Sequence, residues 1–171
     1  MKEQQTKTQQ TLVLIKPDGV ERGLIGEIIA RFEKAGLKIV AMKMQWIDKD
    51  FAKKHYTEDI SKRRGEKVRN ALLDLIVSGP VVAMVLEGIE AVDIVRKMVG
   101  ATEPKAAMPG TIRGDYAHAS FSYADKVDKA IRNIVHASGN KEEAKYETEL
   151  WFKKEDIHSY KTVHDKHILH E

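Results

Sequence analysis

The chain has no cysteine. That excludes a disulfide framework and any thiolate nucleophile or metal ligand. It has no Asn-x-Ser/Thr acceptor. No apolar run approaches the roughly 20 residues of a membrane-spanning helix. The first ten residues are polar, without the apolar centre of a secretory signal or the arginines of a transit peptide. The default compartment is therefore the cytoplasm, and no membrane partner is expected. Aromatic residues make up only 6% of the chain and interleave with no basic run. The net charge of +3 then reads as ordinary surface with a few phosphate ligands, and nucleic acid is not expected as a partner. Both glycine-rich phosphate signatures, Gly-x-x-x-x-Gly-Lys and Gly-x-Gly-x-x-Gly, are missing. Any nucleotide site must be assembled from side chains far apart in sequence.

What is present suits one globular domain. Residues are 42% apolar and 32% charged over 171 positions, a length that buries about 70% of the unfolded surface. Residues 1–10 read as a disordered tail. Thr11 to Ile15 is a short apolar strand ending in Lys16-Pro17-Asp18-Gly19, a turn signature. Lys16 there is either a solvated lysine or a point charge held for a phosphate. Gly23 to Gly36 has a helical apolar stripe, and Leu37 to Ile47 reads as a strand. Asp48 to Glu58 is a short helix with an Asp cap, followed by a basic loop at 61–65 and a helix at 66–77. Ser78-Gly79-Pro80 leads into a strand at 81–87, then a helix at 89–99 stopped by Gly100. A proline-containing loop follows. In the segment 117–129, Ser122 is a candidate cap for a small helix. Lys141 to Phe152 is helical, with Ala144, Glu147 and Trp151 spaced i, i+3, i+7 on one side, so the Glu147 carboxylate on that inward stripe needs a partner. Residues 153–171 form an extension with little periodicity. The order suggests an α+β fold, an antiparallel sheet backed by helices.

One stretch organises the rest. Asn133-Ile134-Val135-His136-Ala137-Ser138-Gly139 reads as a strand end that delivers His136 to an open turn, walled by small residues. Imidazole can attack a phosphoryl group and hold it covalently. A lone histidine beside apolar residues is also often only a core residue. Around it, Lys16, Arg96, Thr102, Arg113 and Asn133 sit at strand ends, helix ends or loops. Phosphoryl transfer is mostly positioning and charge stabilisation, which a lysine and two arginines about a histidine would supply. Glu147 would accept a proton from the ring nitrogen that does not attack, fixing the tautomer.

Residues 11–152 resemble nucleoside diphosphate kinase. The resemblance rests on motifs in order: Ile15-Lys16-Pro17-Asp18-Gly19-Val20 with Arg22-Gly23, His55-Tyr56, Ser78-Gly79-Pro80-Val81-Val82-Ala83-Met84, Gly100-x-Thr102-x-Pro104, Pro109-Gly110-Thr111-Ile112-Arg113-Gly114-Asp115, and Asn133-x-x-His136-Ala137-Ser138. It implies a ferredoxin-like α/β sandwich with a four-stranded antiparallel sheet, and a ping-pong transferase acting through a phosphohistidine. By motif, His136 is phosphorylated, Glu147 orients it, and Ser138 sits beside the ring. Lys16 and Tyr56 flank the transferring phosphoryl. Arg96, Thr102 and Arg113 hold phosphates, and Lys16 and Asn133 bond sugar hydroxyls. Magnesium comes in on the nucleotide phosphates, with no metal ligand from the protein. The family forms homo-oligomers, and the extension is compatible with a hexamer rather than a tetramer.

Three departures stand out. Gly139 replaces the aspartate usual after the serine, which in the family lies near the metal through water. Val68, with Leu72 one turn on, stands where the family places a base-covering ring. The segment between Arg113 and Asn133 is about ten residues longer than usual, a length a surface loop tolerates. It carries His118, Phe121 and Tyr123. Either Phe121 or Tyr123 supplies a new wall for the base, or both rings only anchor the insertion. The C-terminal histidines His158, His164, His167 and His170 suggest a solvated tail or subunit contact ahead of adventitious metal binding. A weakly catalytic assembly or nucleic-acid-binding protein that keeps the fold is the competing function.

Overall fold

The structure is a computed structural model that describes residues 8–170. Four strands form one sheet: β1 (Gln9–Ile15), β2 (Lys38–Gln45), β3 (Val81–Gly88) and β4 (Val135–Ala137), in the order β2-β3-β1-β4. All neighbours are antiparallel. Two split β-α-β units therefore interleave, which is the ferredoxin-like sandwich.

Strict alternation along the strands divides the interior in two. Leu12, Leu14, Val81, Ala83 and Val85 face one side of the sheet, while Val13, Ile15, Val82, Met84 and Leu86 face the other. The second side packs against Ile28 and Phe32 of α2 (Ile25–Lys34) and Ala91, Val95 and Val99 of α6 (Ala91–Val99). The first packs against Ala52 of α3 (Lys49–His55), Leu73 and Ile76 of α5 (Glu66–Ile76) and Trp151 of α9 (Lys141–Trp151). Register decides which side carries the chemistry. His136 pairs with Leu14 across β1 and β4, so its ring projects on the Leu14 side with α3, α5 and α9.

Several local readings change. Lys16-Pro17-Asp18-Gly19 is not only a turn: it opens the helix α1 (Pro17–Glu21), because proline at the first helical position presets φ and gives up no needed N–H. The basic stretch at 61–65 is the end of a helix, α4 (Glu58–Arg64), which breaks from α3 at Tyr56 and Thr57. Ser120, not Ser122, caps the insertion helix α8 (Phe121–Lys126), accepting from the Tyr123 N–H at 3.3 Å. β1 begins at Gln9, two residues inside the stretch read as a tail; residues 1–7 of that reading lie outside the described ones.

The extension is docked rather than free. The His158 N–H donates to the Val40 carbonyl at 2.8 Å, and the Tyr160 hydroxyl to that of Ile39 at 2.6 Å. Asp165 pairs with Lys38 at 3.1 Å and also accepts from Thr162. Periodicity could not reveal this, because the contacts are made by isolated polar groups. Among the described residues, no helix is long and apolar enough to cross a membrane.

Candidate active site

A cavity of about 620 Å³ opens on the Leu14 side, between α4, α5, the insertion and the end of β4. His136 lines it. Its Nε2 lies 2.9 and 3.0 Å from the two oxygens of Glu147. Glu147 is on the predicted stripe of α9, where Ala144, Glu147 and Trp151 are the buried residues. The Ser138 hydroxyl, fully buried behind the ring rather than in the cavity, donates to Glu147 Oε2 at 2.5 Å. Burial by itself pushes the Glu147 carboxyl up. The charge and hydrogen bond of His136, the neighbouring His55 and the Ser138 hydroxyl outweigh it and bring the pKa down to about 2. An ionised carboxylate only accepts, so His136 Nε2 carries the proton. Nδ1 makes no hydrogen bond among the described residues.

His55 completes this corner. It stacks edge-on against His136, centroids 4.6 Å apart, and its Nδ1 accepts from the Trp151 indole at 3.3 Å. Burial, then the proximity of His136, lowers its pKa to about 3 against the partial support of Glu147. The ring is neutral, and the indole fixes its proton on Nε2.

Lys16, Arg96 and Arg113 line the same cavity as His136. Lys16 is 3% exposed, and its Nζ donates to Asn133 Oδ1. Burial lowers its pKa to about 8, opposed by Asp18 and helped by Arg113 and Arg132. The Asn133 amide donates to the Thr102 carbonyl at 2.7 Å. Arg113, on α7 (Ile112–Tyr116), is likewise buried and donates to three carbonyls: Gly100 at 2.9 Å, Asn133 at 3.3 Å and Val135 at 2.7 Å. Burial, then repulsion from Arg96, lowers its pKa to about 10. Arg96 and Thr102 are exposed at the rim of the cavity.

The backbone leading to His136 is bent sharply. Val135 N–H closes on the Asn133 carbonyl at 2.7 Å, and Ile134 between them has φ +59°. This is a γ-turn of the strained hand, with a β-branched residue at its centre. Such backbone costs on the order of 1–3 kcal/mol and persists only where the surroundings over-determine it. Here the Asp18 carboxylate accepts from the Ile134 N–H at 2.9 Å, and the Lys16 N–H donates to the Ile134 carbonyl at 2.8 Å.

The nucleoside diphosphate kinase family model matches residues 9–157. The chain belongs to the nucleoside diphosphate kinase family. It is 50% identical to the nucleoside diphosphate kinase of Borreliella burgdorferi over 90% of this chain and 92% of that one. It is 54% identical to that of Pyrococcus furiosus over 90% and 89%. A solved structure described as a transition-state mimic of the Borrelia burgdorferi enzyme with bound vanadate and ADP superposes with a TM-score of 0.93 at 47% identity, covering 95% of this chain and 97% of that one. The protein is thus a phosphotransferase of nucleotide metabolism, moving the γ-phosphoryl group of a nucleoside triphosphate to a nucleoside diphosphate by a ping-pong route through a phosphohistidine.

In this nucleoside diphosphate kinase every site residue expected from sequence lies at the cavity or directly behind it. Lys16, Tyr56, Arg96, Thr102, Arg113 and Asn133 line it with His136 and Glu147, and half-buried Val68 and Leu72 form part of its outer wall. Of the two insertion rings, Phe121 lines the cavity, with the Arg64 guanidinium 5.9 Å from its centroid; Tyr123 does not and is 64% exposed. His118 lies away from the cavity, exposed. At Gly139 a Cβ would meet the end of the Glu143 side chain at 2.6 Å, and the Gly139 N–H donates to that carboxylate at 2.9 Å. Glu143, also at the cavity, occupies the space a side chain at 139 would need. Sequence reading gave no role to Asp18, His55 or Glu143. Asp18 and His55 stand inside quoted motifs, next to residues that drew the attention.

A divalent ion accompanies the reaction of this family. Among the described residues, the one group of three ligating side chains within reach of one another is His55, His136 and Glu147. All three are already engaged with each other, Trp151 and Ser138.

Proposed function

We propose that His136 Nδ1 is the atom phosphorylated, with the other site residues in the roles their positions suggest. The Nδ1 lone pair forms a bond to the γ-phosphorus while the bond from phosphorus to the β–γ bridging oxygen breaks and the diphosphate leaves. An oxygen of a second nucleoside diphosphate then attacks the same phosphorus, the N–P bond breaks, and the ring returns with its proton still on Nε2 and donated to Glu147. No proton need move in either half. Lys16 and the Tyr56 hydroxyl face the transferring group. Arg96, Thr102 and Arg113 hold the remaining phosphates, and Lys16 with Asn133 holds the sugar. Magnesium on the phosphates would neutralise charge there. The observation that carries the reading is the Glu147 carboxylate 2.9 and 3.0 Å from Nε2 of His136, a ring that lines the cavity.

Val68, Leu72 and Phe121 bound the base, with Phe121 stacked on it in place of the missing ring. The enzyme works as a homo-oligomer: β2 is a sheet edge, and it and the residue after it expose Met42, Met44 and Trp46 at 54%, 58% and 67%, an apolar edge of the kind that pairs with another chain. We favour a hexamer and a cytoplasmic location. Incubation with γ-labelled ATP and magnesium tests the core of this reading. An acid-labile, base-stable phosphoprotein should form, discharge onto GDP and vanish in His136→Ala; no label in the parent protein would overturn it.

A further inference from the structure

Asp18 is 3% exposed and lies outside every role assigned above. One of its carboxylate oxygens, Oδ2, accepts from the N–H of Ile134, the strained centre of the γ-turn. The other, Oδ1, is buried with no hydrogen-bond partner among the described residues. That turn joins two parts of the site: its first residue, Asn133, holds the Lys16 ammonium, and its last, Val135, begins the strand that carries His136. Gly19, one residue beyond Asp18, sits so close that a Cβ there would lie 3.0 Å from the Ile134 carbonyl oxygen. The start of α1 is therefore fitted against the turn on both its donor and acceptor sides. A neutral acceptor would serve the N–H. A buried carboxylate with an idle oxygen implies a second task for its charge.

Resting on the proposed phosphoryl-transfer roles of Lys16 and His136, we propose that Asp18 is a positioning residue with two separable effects: its oxygen holds the Ile134 turn that delivers His136, and its negative charge keeps the buried Lys16 ammonium protonated. The charged groups whose fields reach Lys16 are Asp18 from α1, Arg113 from α7 and Arg132 from the segment before β4. Burial and both arginines disfavour the ammonium, and Asp18 opposes them. Each phosphate that arrives would take over this work, so the carboxylate matters most while the site is empty.

Two variants of the full chain separate the effects. Asp18→Asn keeps an oxygen for the Ile134 N–H but removes the charge. Lys16 in free enzyme carrying ¹³C-labelled lysine, its resonance identified by loss in Lys16→Arg, should titrate about one pH unit lower in Asp18→Asn, at the low end for removal of a nearby opposite charge. The alkaline limb of kcat/KM should move with it, a loss of roughly fivefold at pH 8 for a group titrating there. Asp18→Ala removes the acceptor as well. It should lose about tenfold more in kcat than Asp18→Asn at pH 6, with KM little changed. An unmoved Lys16 titration in Asp18→Asn overturns the charge effect. Equal kcat in the two variants at pH 6 overturns the turn effect, and failure of Asp18→Ala alone to fold supports it. The lysine titration needs no turnover. If His136 were not the phosphorylated residue, the ¹³C result would stand while the labelling experiment failed.

Discussion

Replacing Glu147 by glutamine changes one atom of the side chain and inverts its hydrogen bonding at His136. Glu147 Oε2 accepts from Ser138 at 2.5 Å, so the glutamine oxygen takes that place. Its NH₂ group then occupies the Oε1 position, 2.9 Å from His136 Nε2 and 3.7 Å from His55 Nδ1. A donor now faces Nε2 beside the retained oxygen at 3.0 Å, which weakens the Nε2–H bond and admits the tautomer with its proton on Nδ1, the proposed nucleophile. A hydrogen bond to a charged group contributes about 1.5–3 kcal/mol. At about 1.4 kcal/mol per tenfold in rate, its loss slows phosphorylation roughly 10- to 150-fold. Rapid-quench measurement of phosphoprotein formation from γ-labelled ATP at saturation reads that step directly, and the ADP dissociation constant should stay near the parent value. Adding Ser138→Ala frees the amide to turn its oxygen toward His136, so the double variant should recover part of the lost rate. A Glu147→Gln rate within threefold of the parent would refute the tautomer argument.

Phe121→Ala should weaken nucleotide binding about fivefold to tenfold, at the lower end of the 1–3 kcal/mol typical of base stacking, while Tyr123→Ala leaves it unchanged; isothermal titration with ADP distinguishes them. Gly139→Asp places a second carboxylate against Glu143 and should lower stability by about 1 kcal/mol in urea unfolding through loss of the Gly139 and Asn140 bonds to Glu143, with a smaller loss in a Glu143→Ala background. His55 must stay neutral when folded but protonates readily when unfolded. Its folded pKa, about 3, lies below the ordinary 6.5, so the unfolded chain binds the extra proton between these values. Stability should therefore fall as pH drops through that window, by up to about 1.4 kcal/mol per pH unit, and the slope should flatten in His55→Phe.

Much of this architecture is legible in the sequence. Short apolar runs mark β1 and β3, and the spacing of Ala144, Glu147 and Trp151 alone sends a carboxylate inward. The stretch Asn133 to Gly139 announces a histidine at a strand end, where β4 delivers it. What periodicity misses is short and non-local. The Lys-Pro-Asp-Gly signature fits a turn as well as the first turn of a helix, and only the packing of Gly19 on Ile134 decides between them. Nothing in the sequence marks Ile134 as left-handed, because a β-branched residue is the least expected there, and the reason lies in Asp18 and Lys16 more than a hundred residues away. The Gly139 departure reads as a loss until the structure shows Glu143 in the space.

The cavity is walled by pieces of chain from Lys16 to Glu147, with no two of its principal cations in one element. No excised peptide can reproduce it, and turnover vanishes with the first cooperative unfolding of any layer. Catalysis therefore doubles as a gauge of how much of the population is native. By the same coupling, ADP at a hundred times its dissociation constant should raise the free energy of unfolding by about 2.7 kcal/mol, an increment distributed over the whole sandwich because the ligand bridges all of it.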